Sequence, residues 1–234
     1  MADDFLKALR DYFPDGGFGG RVQPLPEYGC IFVKNAKAAT STVMLWLHRM
    51  HTGDHDWTPE LNIHREHKLP RPQEVGWPTV AGMLSGEAFR FAFVRDPVRR
   101  AESAYLDKVA TLERRPRWRL QVQRTLGLAE DPDHAPTFEQ FVAALEAQPP
   151  LEQNAHWRPQ HLNLMHPLID YDMVGRLETF DADLARVREL AGLPEVPLEV
   201  RNERPPTASM LDGRPNLLRR VREVYARDFE LYGY

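Results

Sequence analysis

The sequence has little cysteine, no long apolar run and no excess of positive charge. Its single cysteine, Cys30, cannot form a disulfide within the chain, and it lies in a predicted strand, so we expect a buried and unreactive thiol. No apolar run approaches the roughly 18 residues that a membrane span needs. The acidic, amphipathic start lacks the apolar core of a signal peptide. We therefore expect a cytoplasmic protein with no membrane span.

The charge balance argues against nucleic acid as a partner. The formal net charge is -4, whereas nucleic-acid-binding domains usually carry a broad basic surface. Arginine is dense at 114–119 and 214–223. Solvated helix faces are the favoured interpretation of these stretches, and binding of an acidic substrate is the alternative.

The chain also lacks a Gly/Ser-rich linker, a repeat and a low-complexity segment, so we predict one domain over 1–234. Short apolar runs at 28–35, 90–97 and 171–178 predict strands, and helical patterns follow at 41–51, 98–114 and 181–192. Further helices are predicted at 3–13 and 137–148, and 215–234 is predicted to close the chain as a helix and tail. This alternation indicates an α/β fold with a central, mostly parallel sheet flanked by helices. Residues 52–88, rich in His, Pro and Trp, are predicted to form a long loop or lid beside an acceptor. Neither the oligomeric state nor the pathway follows from the sequence.

The stretch "CIFVKNAKAATSTVM" combines the first strand, a turn and a helix start. Free N–H groups and the helix dipole make such a turn an anion site. Lys37 can act as a point charge there, and Lys34 is the alternative lysine. The backbone and hydroxyls that could cradle a phosphate belong to Ala38, Ala39, Thr40, Ser41 and Thr42. The turn contains no glycine, unlike the nucleotide loop G-x-x-x-x-G-K-[ST], which weighs against an ATP site.

A second polar pair follows the second strand. Arg95 ends that strand, and Ser103 lies eight residues later on the next helix. An arginine and a hydroxyl so placed could hold one phosphate from two directions. In the alternative interpretation, Arg95 pairs with a carboxylate and Ser103 packs.

These motifs resemble the sulfotransferases that use 3′-phosphoadenosine 5′-phosphosulfate (PAPS), and most of all their carbohydrate O-sulfotransferase branch. "VKNAKAATST" resembles the 5′-phosphosulfate loop P-K-x-x-x-[ST], with Lys37 at the lysine and Ala36 in place of proline. "RDPVRRAESAY" resembles the 3′-phosphate motif R-D-P-x-x-R-x-x-S-x-Y, with Arg99 or Arg100 as the second arginine. Segments 154–160, 171–184 and 221–234 resemble the H-W-x-P-Q, D-x-[IV]-G-[RK]-x-E and Y-x-x-D-F-x-x-F-G-Y segments of the family. Segments 52–88 and 114–150 have no clear counterpart.

The resemblance implies a P-loop-like α/β fold, PAPS as donor and 3′-phosphoadenosine 5′-phosphate as product, with no metal required. It implies that Lys37 stabilises the leaving group and that Arg95 and Ser103 bind the 3′-phosphate. Arg201 and Asn202 either contact the adenosine or 3′-phosphate or form surface salt bridges.

An acceptor hydroxyl needs a base, and histidine suits neutral pH. His64 is the first choice, because it lies between the two phosphate motifs, and His67, Glu66 and His156 are rivals. The predicted substrate contacts are His67, His156 and Trp157. Trp57 and Trp77 either stack on the acceptor or pack the lid.

Three functions remain to be distinguished. The first is sulfuryl transfer from PAPS to a hydroxyl of a carbohydrate or another small hydroxylated acceptor. The second is a P-loop-type ATP-dependent kinase, which would need Mg²⁺. The third is a non-catalytic protein that binds 3′,5′-ADP or PAPS. The sequence does not identify the acceptor.

Overall fold

The structure is a computed structural model that describes residues 2–13, 17–113, 116–197 and 208–234. It divides the chain into two compact units, each built from two separate segments. Unit 1 comprises 1–94 and 163–203, and unit 2 comprises 95–162 and 204–234. The one-domain prediction is not tested by this division and stays a prediction.

Unit 1 contains a four-stranded sheet. Its strands are β1 (Val22–Leu25), β2 (Cys30–Val33), β3 (Phe89–Val94) and β4 (Met173–Arg176), in the order β1-β2-β3-β4. The pairs β2–β3 and β3–β4 are parallel, and Phe32 lies opposite Phe91 in the register. The predicted α/β class with a mostly parallel sheet is therefore confirmed.

Strand β1 was not predicted. It runs antiparallel to β2 and lies at the edge of the sheet. It has only four residues and contains Pro24, which has no N–H for a ladder and is tolerated at an edge. A proline inside a short apolar run is weak evidence for a strand, so the pattern gave no usable signal.

Helices occupy much of the rest of the described chain. They are α1 (Ala2–Tyr12), α2 (Thr40–Thr52), α3 (Ile63–Glu66), α4 (Pro72–Val75), α5 (Trp77–Gly82), α6 (Pro97–Tyr105), α7 (Arg117–Thr125), α8 (Phe138–Ala147), α9 (Gln160–Asn163), α10 (Phe180–Ala191), α11 (Pro215–Val224) and α12 (Ala226–Tyr232). None of the helices in these described ranges is long and apolar enough to cross a membrane.

The segment 52–88 is more ordered than a long loop. It contains α3, α4 and α5, followed by a π-helical turn at Met83–Glu87. Each helix has at most six residues, too few to give a helical period in the sequence. Local signals begin them, such as the Asn62 cap of α3 and prolines in the first turns of α4 and α5. The acceptor-side role of this segment stays a prediction.

The core of unit 1 surrounds helix α2. All nine residues from Thr42 to Met50 are buried, and Phe32 and Phe91 stack with centroids 5.2 Å apart. Cys30 is fully buried, and burial raises the pKa of its thiol to about 12. The prediction that the Cys30 side chain is buried is therefore confirmed.

Unit 2 has a core of its own, formed by residues of α6, α7, α8 and α11 with Trp157 and Tyr225. The predicted cap of α8 is confirmed: Gln140 N donates to Thr137 Oγ1 at 3.2 Å, and Thr137 N donates to Gln140 Oε1 at 2.8 Å. The helix predicted over 98–114 is shorter, since α6 ends at Tyr105 and a π-helical turn follows at Leu106–Ala110.

Candidate functional site

The phosphate loop, residues 34–42, connects β2 to the first turn of α2. Lys37 has φ 71° and Ala39 has φ 56°, so two residues with side chains adopt the left-handed conformation that usually selects glycine. Such a conformation costs an L-residue roughly 1–2 kcal/mol. The loop makes its sharp turns without glycine, and it stores backbone strain of the kind that clusters at functional sites.

Asn35 holds this strained loop in place. It is fully buried, and its side chain donates to Phe93 O at 3.1 Å. Its carbonyl oxygen accepts from Ala38 N at 3.2 Å and from Thr40 Oγ1 at 2.5 Å. Asn163 donates to Asn35 Oδ1 at 3.3 Å. The sequence interpretation placed Asn35 at the end of the predicted strand 28–35 and missed its role, although a polar amide two residues after the apolar run 30–33 is a usable signal.

The three hydroxyls of the first turn of α2 differ in their surroundings. Thr40 gives its hydrogen to the loop carbonyl, and Thr42 is buried. Ser41 is partly exposed, and its Oγ lies 3.1 Å from His64 Nε2. The N–H groups of these three residues form no hydrogen bond with the described part of the chain. An anion at this turn would therefore meet three unused backbone donors and one adaptable hydroxyl.

The surroundings of the loop are electropositive. Burial lowers the pKa of Lys34 to about 8. Burial and then the charge of Lys34 lower the pKa of His67 to about 4, so this imidazole is neutral at pH 7. His67 Nδ1 is buried and has no hydrogen-bond partner among the described residues. Positive charge with little acidic compensation suits an anionic ligand.

The segment that carries His64 is fixed by its own hydrogen bonds. Asn62 Oδ1 accepts from His64 N at 2.9 Å and caps α3. The Glu66 carboxylate accepts from Glu60 N at 2.7 Å, from Leu61 N at 2.9 Å and also from Asn62 N. These bonds, the one from Asn62 first, lower the pKa of Glu66. A carboxylate so occupied is poorly suited to be the base, which favours His64 over Glu66.

Both ends of this segment are attached to α2. The Trp57 ring stacks on His48 with centroids 3.8 Å apart, and Arg49 Nε donates to Trp57 O at 3.1 Å. Lys68 N donates to His48 Nδ1 at 3.1 Å. Trp77 packs against Phe18, with centroids 4.9 Å apart. Both tryptophans therefore have packing partners within the protein, as expected if they pack the lid rather than stack on an acceptor.

In unit 2, the backbone of Arg95 is held on both sides by one glutamine. Gln160 Oε1 accepts from Arg95 N at 3.0 Å, and Gln160 Nε2 donates to Arg95 O at 2.7 Å. The fully buried Asp228 accepts from Gln160 N at 2.6 Å and from His161 N at 3.0 Å. Its Oδ1 also lies 2.7 Å from His161 Nδ1. Gln160 and Asp228 lie in segments noted for their resemblance, but the sequence did not reveal that they position Arg95.

The two candidates for the second arginine have different roles. Arg100 is fully buried and donates to Arg158 O at 2.8 Å and to Ala155 O at 3.0 Å. Arg99 is exposed and donates to Glu102 at 3.1 Å. Arg100 therefore fixes the chain around 155–158 within unit 2. Ser103, on α6, is partly exposed.

The structure places the remaining predicted residues as follows. Trp157 is a core side chain, 1% exposed, with its ring 5.5 Å from that of Phe141, so its packing does not favour a substrate contact. His156 is half-buried, and its Nδ1 lies 2.6 Å from Asn154 Oδ1. Arg201 and Asn202 lie outside the described residues. The described ranges contain no group of three His, Cys, Asp or Glu side chains that could hold a metal ion. The expectation that the reaction requires no metal is not tested by this and stays a prediction.

Comparison with curated proteins finds several carbohydrate sulfotransferases. Carbohydrate sulfotransferase 14 of Danio rerio is 30% identical, with 62% of this chain and 44% of the relative covered. The Mus musculus protein of the same name is 32% identical, with 62% and 42% covered. Carbohydrate sulfotransferase 12 of Xenopus laevis is 34% identical, with 62% and 40% covered. The chain thus spans less than half the length of these relatives, and no solved structure matches it significantly.

A family model described as "Sulfotransferase family" matches residues 26–234. That range includes the strained phosphate loop, the Arg95 segment and the C-terminal helix with Asp228. Because the match covers well over half of its length, the chain belongs to the sulfotransferase family.

Proposed function

We propose that the protein transfers a sulfuryl group from PAPS to a hydroxyl of a carbohydrate or another small hydroxylated acceptor. The observation that carries this proposal is the phosphate loop, where three backbone N–H groups form no hydrogen bond with the described residues and the Ser41 hydroxyl contacts His64. Family membership supports the donor, and the names of the carbohydrate sulfotransferases to which the chain is similar support a carbohydrate acceptor.

The residues of the loop fit the 5′ end of the donor. The N–H groups of Thr40, Ser41 and Thr42 would accommodate its oxyanions, whereas Ala38 is buried and its N–H already donates to Asn35 O. The donor supplies a sulfuryl group joined to a phosphate through a bridging oxygen. Lys37 is assigned to neutralise the negative charge that develops on that oxygen. The electropositive surroundings, including Lys34, strengthen binding of a multiply charged anion.

His64 is assigned as the base for the acceptor hydroxyl. Its imidazole is held beside the loop by Ser41 and by the cap at Asn62. His67 is a weaker candidate, because burial and the charge of Lys34 lower its pKa to about 4, which makes it a poor proton acceptor. The carboxylate of Glu66 is already bonded to three backbone N–H groups.

Arg95 and Ser103 are assigned to the 3′-phosphate, because their motif matches the family pattern. The bonds from Gln160 to both sides of the Arg95 peptide fix where this side chain leaves the backbone. Such fixation lowers the entropy that is lost when a phosphate is bound.

Calorimetric titration without added metal tests the proposal, with 3′,5′-ADP as ligand and 5′-AMP and ATP as controls. We expect a clear preference for 3′,5′-ADP. Lys37→Ala should reduce PAPS turnover by about 10²–10³-fold and change 3′,5′-ADP affinity much less, because the bridging oxygen carries its extra charge only in the transition state. Lys7→Ala, which removes an exposed lysine of α1, is the matched control and should change neither quantity.

Three outcomes would contradict the proposal. Equal affinity for 3′,5′-ADP and 5′-AMP would remove the 3′-phosphate site, and turnover that requires Mg²⁺ and ATP would support the kinase. Tight 3′,5′-ADP binding with no PAPS turnover on any hydroxylated acceptor would favour the non-catalytic alternative.

A further inference from the structure

The contact between Ser41 and His64 joins the loop assigned to the donor to the side chain assigned as base. Ser41 Oγ and His64 Nε2 lie 3.1 Å apart. Ser41 is the second residue of α2, and His64 is the second residue of α3. What this contact does for the reaction rests on the proposed function.

Ser41 is the hydroxyl of the loop that can change its partner. Thr40 is committed to the Asn35 carbonyl at 2.5 Å, and Thr42 is buried. Serine has one hydrogen and two lone pairs. Its hydrogen can therefore point to His64 Nε2 or to an oxyanion at the start of α2, but not to both at once.

Without an anion, the charge at the start of α2 favours one hydrogen-bond direction. The N–H groups of 40–42 are unbonded in the described structure, and the helix dipole places positive charge there. Positive charge favours a lone pair, rather than an N–H, on the nearest ring nitrogen. In this state Ser41 donates to Nε2, and when the His64 ring carries a single hydrogen, that hydrogen lies on Nδ1.

An anion at the same turn reverses the sign of the local charge. The Ser41 hydrogen then turns to the oxyanion, and its oxygen becomes an acceptor. The favoured partner is now Nε2–H, so the ring hydrogen moves from Nδ1 to Nε2 by exchange with water. One hydroxyl rotates and one ring proton changes place, and no covalent bond between heavy atoms forms or breaks.

We propose that Ser41 is a positioning residue that couples anion binding in the phosphate loop to the tautomer of His64. Nδ1 then carries the basic lone pair when the donor is bound, and Nε2 carries it when the loop is empty. Because Asn62 and Glu66 fix the backbone around His64, the signal passes through hydrogen positions rather than through loop movement. The base is thereby oriented for the acceptor only after the donor has bound.

Nitrogen NMR of the full-length chain with ¹⁵N-labelled histidine tests this coupling, because imidazole nitrogen shifts distinguish the two tautomers. His64→Asn assigns the His64 signals. Saturation with 3′,5′-ADP should move the wild-type ring from the Nδ1–H to the Nε2–H tautomer. Ser41→Ala should bind 3′,5′-ADP more weakly, because one donor to the anion is lost, and at saturating ligand it should show no tautomer change. Ser41→Thr, which keeps the hydroxyl, should restore the tautomer change.

Each result separates this coupling from the function on which it rests. Binding of 3′,5′-ADP to wild type with an unchanged His64 tautomer would overturn the coupling alone, as would the same tautomer change in Ser41→Ala. Absence of 3′,5′-ADP binding to wild type would overturn the proposed function and the coupling with it.

Discussion

Backbone strain at Ala39 is a residue-scale feature with a measurable effect on stability. Ala39 precedes α2 with φ 56° and ψ 13°, where a Cβ is unfavourable. Ala39→Gly should therefore stabilise the protein by about 0.5–1 kcal/mol, less than the full strain because glycine gains entropy in the unfolded chain. Urea denaturation measures the change.

Ala38→Gly is the matched control for that substitution. Ala38 is fully buried and is not among the residues with positive φ, so its loss should destabilise the protein by about 1 kcal/mol. Destabilisation of similar size in both variants would show that the Ala39 conformation stores no strain.

The sequence predicted which residue types form the site better than it predicted their hydrogen-bond partners and pKa values. The pattern identified the loop and its hydroxyls, because a strand, small residues and a helix start follow one another directly. It could not separate Thr40 from Ser41, since their roles depend on Asn35 and His64, and His64 is 23 residues from Ser41. Likewise, nothing local indicated that burial would bring the pKa of Lys34 to about 8.

At the scale of elements, the attachment of the 57–68 segment to α2 determines how firmly His64 is held. Trp57→Ala removes the stack on His48 and should destabilise the protein by about 2 kcal/mol, because a partly buried tryptophan is lost. It should also speed hydrogen exchange at the amides of 60–68, because one end of the segment is released. Mass spectrometry of peptides from this region measures that exchange.

Trp77→Ala provides the comparison. It also removes a large aromatic ring from unit 1, but this ring packs on Phe18 rather than on α2. We expect lower stability with unchanged exchange at 60–68. Equal acceleration of exchange in both variants would mean that general loss of stability, rather than the Trp57 attachment, explains the effect.

Helices and strands long enough to show a recognisable apolar pattern or cap were predictable from the sequence, and the shorter ones were not. The strands that became β2, β3 and β4 and the helices α8 and α10 have apolar runs or caps long enough to identify. Strand β1 and helices α3 to α5 depend on edge position, proline placement and contacts with distant segments. Each of these helices has fewer than two turns, and β1 has only two repeats of the strand pattern, so no period can be recognised in their sequences.

At the scale of the whole molecule, pairing of distant segments was visible only as a resemblance. Segments 154–160 and 221–234 matched family motifs, but the sequence gave no physical reason for them. In unit 2 that reason is a set of buried bonds: Asp228 to Gln160, Tyr225 to Trp157 at 2.7 Å, and Arg100 to the 155–158 backbone. Such contacts between residues 58 to 68 positions apart have no periodic signature.

The pH dependence of global stability follows from Lys34. Its pKa is lowered by burial from 10.5 to about 8, so between these values the unfolded chain binds more protons than the folded one. Stability should therefore rise with pH in this range, by about 1 kcal/mol between pH 7.5 and 9. Chemical denaturation at several pH values measures this rise.

Lys34→Met isolates the lysine from the other titrating groups. Below pH 6.5 the lowered pKa of His67 also makes stability rise with pH. From about pH 8.5 upward the raised pKa of Cys30 acts in the opposite direction, by about 0.4 kcal/mol at pH 9 in wild type and variant alike, so the difference between the two proteins over pH 7.5–9 is the informative quantity. The variant should be more stable than wild type at pH 7.5, by about 2–3 kcal/mol, and its stability should be nearly constant across that window. A wild-type slope that persists in Lys34→Met would assign the titration to another group. A saturating anion should flatten the wild-type slope as well, because a bound phosphate keeps the Lys34 ammonium charged in the folded state.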